Sequence, residues 1–259
     1  MMGNDRALIQ LLMEAGRMLK EGYFGQKEVY KKGSVDLVTE YDKKIEEFLK
    51  PRLAALFEDF EVVGEESFGG EMPDRAIFID PIDGTTNFVH HIAYTCISVG
   101  VWEDGRPLEG AIYNPILDEL FWARRGEGAY LNGQRIEVAP TKELIDALLA
   151  TGFPYTKTQK GRDFRFVIES MERLLPHTRD IRRLGSAAVD LSYVACGRFA
   201  GFYEVNLKPW DVAAGILMVE EAGGIVTNHL GEPYRFGDII VATNGHIHRQ
   251  LLKHLGSWD

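Results

Sequence analysis

The sequence predicts an α/β protein of stacked sheets and helices. Two stretches of helical period open the chain, and short apolar runs parted by Gly, Pro and Asp turns fill the rest of the first half. Helices and strands alternate in the second half. Residues 5–20 read as an amphipathic helix, with Leu8, Leu11, Leu12, Ala15, Met18 and Leu19 on one face. Residues 21–35 are polar, with Lys31, Lys32 and Gly33 together, and read as a loop or short hairpin. A second helix is predicted from near Asp36. Val38, Tyr41, Ile45, Phe48 and Leu49 form its apolar stripe, and Pro51 ends or kinks it.

The period then changes. Ala76-Ile77-Phe78-Ile79 is a short apolar run of the kind that forms a buried strand. Further strands are predicted at 95–102, 108–113, 119–123 and 128–131, and Asn132-Gly133 signals a tight turn. Next come a strand near 147–151, a helix near 162–175, a helix near 186–196 closed by Gly197, and a strand near 198–204. Pro209 opens a helix that Gly223-Gly224 ends, and strands follow near 225–227 and 239–243. No repeat, low-complexity tract or flexible linker is evident. A boundary near 135–145 divides an N-terminal α+β lobe (1–138) from a C-terminal α/β lobe (139–259) within one compact unit.

Composition narrows the function classes. The 259 residues suffice for a substantial core, and 45% hydrophobic with 26% charged residues is ordinary for a globular chain. The net charge of −10 opposes direct nucleic-acid binding and attachment to an anionic membrane surface. Cys96 and Cys196 each sit in an apolar stretch with no CxxC spacing and read as small buried hydrophobes. The first residues lack the form of a signal peptide, and no apolar run is long enough to span a membrane. A cytoplasmic protein is expected.

Three acidic segments carry the chemistry. In Asp80-Pro81-Ile82-Asp83-Gly84-Thr85-Thr86-Asn87-Phe88, two aspartates follow a buried strand, Pro81 stiffens the chain between them, and Gly84 allows a tight turn into a helix. Backbone N–H groups at that turn would face phosphate, and the carboxylates suit a hard cation that shares its oxygen ligands with phosphate. Gly64-Glu65-Glu66-Ser67 follows the apolar pair Val62-Val63, and Pro209-Trp210-Asp211 begins a helix rich in small residues. Taken singly, each has a plainer reading: a turn whose aspartates cap backbone groups, solvated surface charge, and an aspartate favoured by a helix dipole. Divalent cations would reconcile this acidity with an anionic substrate.

GEES, DPIDGTTNF and PWDVAAG, in this order, resemble the signatures of the inositol monophosphatase family. Val35-Asp36-Leu37-Val38-Thr39 with Asp42, Gly185-Ser186-Ala187-Ala188, and Glu220-Glu221-Ala222-Gly223-Gly224 match other recurring segments, so the resemblance runs from about residue 5 to about 255. It implies a layered αβαβα sandwich and Mg2+-dependent, lithium-sensitive hydrolysis of a small phosphomonoester, foremost myo-inositol monophosphate. Fructose 1,6-bisphosphate and other sugar or nucleotide phosphates are alternative substrates. It also implies two to three Mg2+ ions. Glu65, Asp80 and the carbonyl of Ile82 would hold one, and Asp80, Asp83 and Asp211 a second. Glu65 would help a weaker third. The N-terminal lobe would thus carry most of the metal ligands. The Gly84 and Thr85 amides would grip phosphate, and Asp42 would pair with Thr85 to orient the attacking water. Glu204 would contact substrate hydroxyls, and Gly185, Ser186 and Ala187 would line the leaving-group side. His90, His91 and Lys31 are expected to be structural or solvent-side. A homodimer is implied, with Phe121, Trp122 and Tyr130 either in its surface or in the core. Some bacterial relatives are partners of the transcription machinery, which is an alternative role.

Overall fold

The computed structural model describes residues 4–31, 37–70 and 72–258. Helix α1 (Asn4–Phe24) buries Leu8, Leu12, Ala15 and Leu19 completely, as its spacing predicts. Lys31 is the exposed end of strand β1 (Val29–Lys31), which pairs antiparallel with β2 (Leu37–Thr39), while Lys32, Gly33, Val35 and Asp36 lie outside the described residues. Helix α2 (Glu40–Leu56) begins later than the predicted Asp36, because Val38 is a strand residue and Thr39 is the N-cap. The Thr39 hydroxyl accepts the Tyr41 N–H, and Asp42 Oδ2 accepts the Thr39 N–H at 2.7 Å, a reciprocal cap that fixes the start of the helix. Nor does Pro51 end α2, which runs on to Leu56. Pro51 is exposed, while Leu49 and Leu53 on the core face are fully buried. Their burial outweighs one lost backbone hydrogen bond.

The chain between Glu61 and Ile136 builds one seven-stranded sheet in sequence order. Strand β3 (Glu61–Gly64) runs parallel to β4 (Arg75–Asp83). Next come β5 (Cys96–Glu103), β6 (Arg106–Asn114), β7 (Glu119–Arg124), β8 (Gly128–Leu131) and β9 (Gln134–Ile136), each antiparallel to its predecessor. Asn132 and Gly133 both have positive φ in the β8–β9 turn, the geometry that the Asn-Gly pair favours. Phe121 and Trp122 are buried, and Trp122 packs on Tyr130, so these aromatics serve the sheet's own packing.

A second sheet has the order β11 (Asp180–Arg182), β10 (Leu148–Thr151), β12 (Gly201–Glu204), β14 (Ile240–Thr243), β13 (Ile225–Asn228). Helices α1 and α2 cover one face of the first sheet. Helices α5 (Ala187–Ala195) and α6 (Pro209–Glu221) fill the space between the sheets, where Leu191, Ala213 and Met218 are fully buried. Helices α4 (Arg162–Leu174) and α7 (His248–His254) cover the outer face of the second sheet through Phe166, Val167 and Leu251. These layers form the αβαβα sandwich. The sequence reading missed β3, β9, β11 and α7. Strands of three or four residues and a two-turn helix carry too little periodicity to announce themselves, and they form because a neighbouring strand or core is already present.

Helix α2 aims functional groups as well as apolar ones, so its register is worth testing. Leu49→Ala should lower unfolding free energy by about 2–5 kcal/mol. The exposed control Glu47→Ala should shift it by no more than about 0.5 kcal/mol. Urea denaturation of both variants checks the assignment.

Candidate active site

The site grows from a defect in strand β4. Asp80 pairs with Ser98 and Asp83 pairs with Cys96, so three steps along β4 oppose two along β5. On a regular strand, residues three apart face opposite sides. The extra residue cancels that alternation and leaves both aspartates on the same side of the sheet. Pro81, which has no N–H for the ladder, sits inside this bulge. Gly84 then adopts φ 82 and caps the short helix α3 (Thr85–Val89). A Cβ at Gly84 would lie 2.8 Å from Tyr94 O and 3.2 Å from Gly185 O, so the turn needs glycine for space as well as for φ.

Protein donors hold one oxygen of each carboxylate and so set its rotation. Ile82 N–H donates to Asp80 Oδ1 at 3.0 Å. Ser186 Oγ and Ala188 N–H donate to Asp83 Oδ2 at 2.7 and 2.6 Å. Lys208 N–H donates to Asp211 Oδ2 at 2.6 Å, at the start of α6. Asp42 is buried, with Thr39 Oγ1 donating to its Oδ2 at 2.6 Å. Thr85 Oγ1 lies 3.3 Å from Asp42 Oδ1 and 3.0 Å from the Ile82 carbonyl. Glu65 follows β3, and its N–H bonds to Ile79 O at 3.1 Å, beside the bulge.

Electrostatics show that these groups share one region. Burial, reinforced by Glu65, Asp83, Asp211 and Asp42, drives the Asp80 carboxyl well above the usual carboxylate range. Burial and then Asp83, with Glu65 and Glu204 behind, do the same to Asp211. Burial pushes Asp83 to about 6 against the hydrogen bonds it accepts, and pushes Asp42 to about 7. No lysine or arginine among the described residues pairs with Asp80, Asp83 or Asp211. The donor set is all oxygen, and no lysine or arginine among the described residues balances its three aspartates, which fits a hard divalent cation such as Mg2+. Among the described residues no three His, Cys, Asp or Glu side chains form a ready-made metal cage. Mg2+ completes its shell with water and substrate phosphate and does not need one.

The residues expected on the substrate side lie on the second sheet and at the start of α5. Glu204 ends β12, and its carboxylate lies over Gly152, where a side chain would overlap it. Burial pushes Glu204 to about 8, against the pull of Arg183. Gly185 has φ 89, Ser186 caps α5, and Ala187 is its first residue. His90 and His91 are exposed at the far end of α3, with His91 edge-on to Tyr23. Cys96 is buried and Cys196 partly buried, and neither forms a disulfide.

Several contributors escaped the sequence reading. Thr39 orients Asp42, and its Thr-x-x-Asp spacing before a helix was the available signal. Asn87 Nδ2 donates to both Tyr94 O and Leu184 O, tying α3 to the segment before Gly185. Asp190 lies buried near Glu204 and Asp83, with its Oδ1 unpartnered.

Glu204 gives a pH test of this burial. Its carboxyl keeps its proton longer in the folded chain than in the unfolded chain, so its contribution is fully present below about 4.5 and is lost as pH rises through about 8. In EDTA, the stability of the parent relative to Glu204→Gln should therefore fall between pH 5 and pH 8.5. Urea titrations of both proteins at the two pH values measure it.

Comparison with known proteins places the chain. The model of the inositol monophosphatase family matches residues 4–258. Inositol monophosphatase 3 of Solanum lycopersicum is 40% identical over 258 residues, covering 95% of this chain and 94% of that protein. Nus factor SuhB of Escherichia coli is 37% identical over 252 residues, covering 95% and 93%. The crystal structure of the extragenic suppressor protein suhB from Bartonella henselae superposes with a TM-score of 0.89 at 39% identity, covering 96% of each chain. The layers, the three acidic segments and the family match over almost the whole length lead to one assignment: the chain belongs to the inositol monophosphatase family.

Proposed function

We propose that the protein hydrolyses a small phosphomonoester, foremost myo-inositol monophosphate, to the free alcohol and phosphate with Mg2+ as cofactor. The observation that carries this reading is the gathering of Glu65, Asp80, Asp83 and Asp211 around the β4 bulge, with no lysine or arginine among the described residues to balance the three aspartates. Glu65, Asp80 and the Ile82 carbonyl would hold one ion, and Asp80, Asp83 and Asp211 a second. Glu65 would support a weaker third. Bound there, Mg2+ supplies charge neutralisation for phosphoryl transfer and makes a water acidic enough to attack near neutral pH.

The chain's own groups do the positioning. The N–H groups of Gly84 and Thr85 receive phosphate oxygens where the bulge turns into α3. Asp42, fixed by Thr39, faces the Thr85 hydroxyl, and together they orient the attacking water. Glu204 accepts hydroxyls of a polyol, and Gly185, Ser186 and Ala187 bound the leaving-group side. Residues 1–138 and 139–259 act as two lobes of one unit. The first brings Glu65, Asp80 and Asp83, and the second brings Asp211 and the substrate contacts. On the same reading Li+ inhibits turnover, the chain pairs as a homodimer and it works in the cytoplasm.

Phosphate release should require Mg2+ and should have its highest kcat/KM on inositol monophosphate within a panel that includes fructose 1,6-bisphosphate and nucleotide phosphates. Asp211→Asn should lower kcat/KM by more than ~100-fold, since even partners that only orient metal ligands cost 10–100-fold. Undiminished turnover in that variant, or in EDTA, refutes the metal assignment.

A second reading rests on the 37% identity to the E. coli protein named as a Nus factor. Under it the chain binds a protein of the transcription machinery. Pull-down of purified RNA polymerase with its elongation factors should then recover the complex, and Asp211→Asn should leave that recovery intact.

A further inference from the structure

The turn that carries Glu65 is held from both sides, and one of its anchors has no role in the reading above. On the N-terminal side, Glu65 N–H is bonded to Ile79 O of β4. On the C-terminal side, Glu66 N–H donates to Glu46 Oε2 at 2.8 Å, across twenty residues of sequence. Glu46 lies on α2 one turn beyond Asp42 and is 3% exposed. Its carboxylate presses against Gly64, where any Cβ would overlap it. No lysine or arginine among the described residues pairs with it.

A glutamate on the buried face of a helix is costly to desolvate, and a leucine would pack there without that cost. What the carboxylate provides is an acceptor for one backbone N–H. That N–H shares a planar peptide unit with the carbonyl of Glu65, so holding it fixes ψ of Glu65. The bond to Ile79 O fixes the preceding peptide. Both peptides flanking Glu65 are thereby set, and with them the direction in which its side chain leaves the backbone.

We propose that Glu46 is a positioning residue: through Glu66 N–H and the bare Cα of Gly64 it fixes the turn that presents Glu65, and so sets the centre's affinity for its divalent ion. This rests on the reading of Glu65 as a metal ligand. It makes α2 a common mount, with Asp42 reaching the Thr85 side and Glu46 reaching the Glu65 side.

The test is Mn2+ affinity, read by electron paramagnetic resonance on the full chain without substrate, with thermal melts confirming folding. The proteins are the parent, Glu46→Ala, Glu46→Gln, Glu65→Gln and the double variant Glu46→Ala/Glu65→Gln. Glu46→Ala should weaken Mn2+ binding about 10-fold or more, the usual cost of removing a group that orients a metal ligand. Glu46→Gln keeps a carbonyl acceptor for Glu66 N–H and should recover most of that loss. In the Glu65→Gln background, Glu46→Ala should add almost nothing, because the two act as a unit. Should Glu46→Ala not fold, Glu46→Leu, which fills the space without an acceptor, carries the same expectation. Parent-like affinity in Glu46→Ala, a Gln variant as weak as Ala, or an additive double variant overturns the role of Glu46 while leaving Glu65 in place. Parent-like affinity in Glu65→Gln overturns the metal reading of Glu65 and this role with it.

Discussion

Asp80 and Asp83 are buried, Asp211 is half-buried beside them, all three lie close to Glu65, and no lysine or arginine among the described residues balances the three aspartates. Their mutual repulsion works against the folded state, and most other features of the site manage it. The carboxyls respond by holding protons far above their usual range. A divalent cation would reverse that response, displacing protons as it binds. The strain is carried by a stiff frame. Two sheets and three helical layers surround the carboxylates with fully buried side chains such as Ile79, Val99, Leu191 and Val212. One oxygen each of Asp80, Asp83 and Asp211 is pinned by a backbone or hydroxyl donor, so repulsion cannot be relieved by simple rotation.

How these residues meet was only partly legible in the sequence. DPIDGTTNF announced a strand end, a turn and a helix start, and all three are present. Long periodic helices such as α1, and the Pro-to-Gly span of α6, were also readable, because each carries its pattern within its own residues. The β4 bulge was not readable. Whether Asp80 and Asp83 share a side depends on their pairing with Ser98 and Cys96, which is set by contacts to another strand. Pro51 misled for the same reason. Its local preference for ending a helix was real, but the burial of Leu53 lies outside any local rule. Thr39 sits between these cases: its cap pattern was local, whereas its role in aiming Asp42 at Thr85 needed the fold.

The layering also separates two tasks. The groups assigned to ions and phosphate, from Asp42 through Thr85, all precede the crossing between the sheets, apart from Asp211. The groups assigned to the substrate's alcohol portion lie beyond it, on β12, on the segment before α5 and on α5 itself. Changes at Glu204, Gly152 or Arg183 would therefore alter which alcohol fits without moving the β4 bulge. On the proposed assignments, one set of acidic signatures could serve several phosphomonoesters. The bulge and its carboxylates would recognise what such substrates have in common, a phosphate and the cations it attracts, while the second sheet would meet what differs.

Asp211 is the necessary exception to that separation. It enters from the C-terminal half, yet it belongs to the group around the bulge, because α6 lies between the sheets and packs along β4, β5 and β6. Small residues on α6 make this close approach possible. A Cβ on Gly100 of β5 would lie 2.7 Å from the Cβ of Ala213, so strand and helix meet almost backbone to backbone. The first turn of α6 is thus held at a distance set by main-chain atoms, with little freedom for side chains to repack. A carboxylate mounted there keeps its position relative to Asp80 and Asp83 through strand and helix geometry. The small residues following Asp211 in the sequence are, on this view, as much a part of the site's geometry as the acid itself.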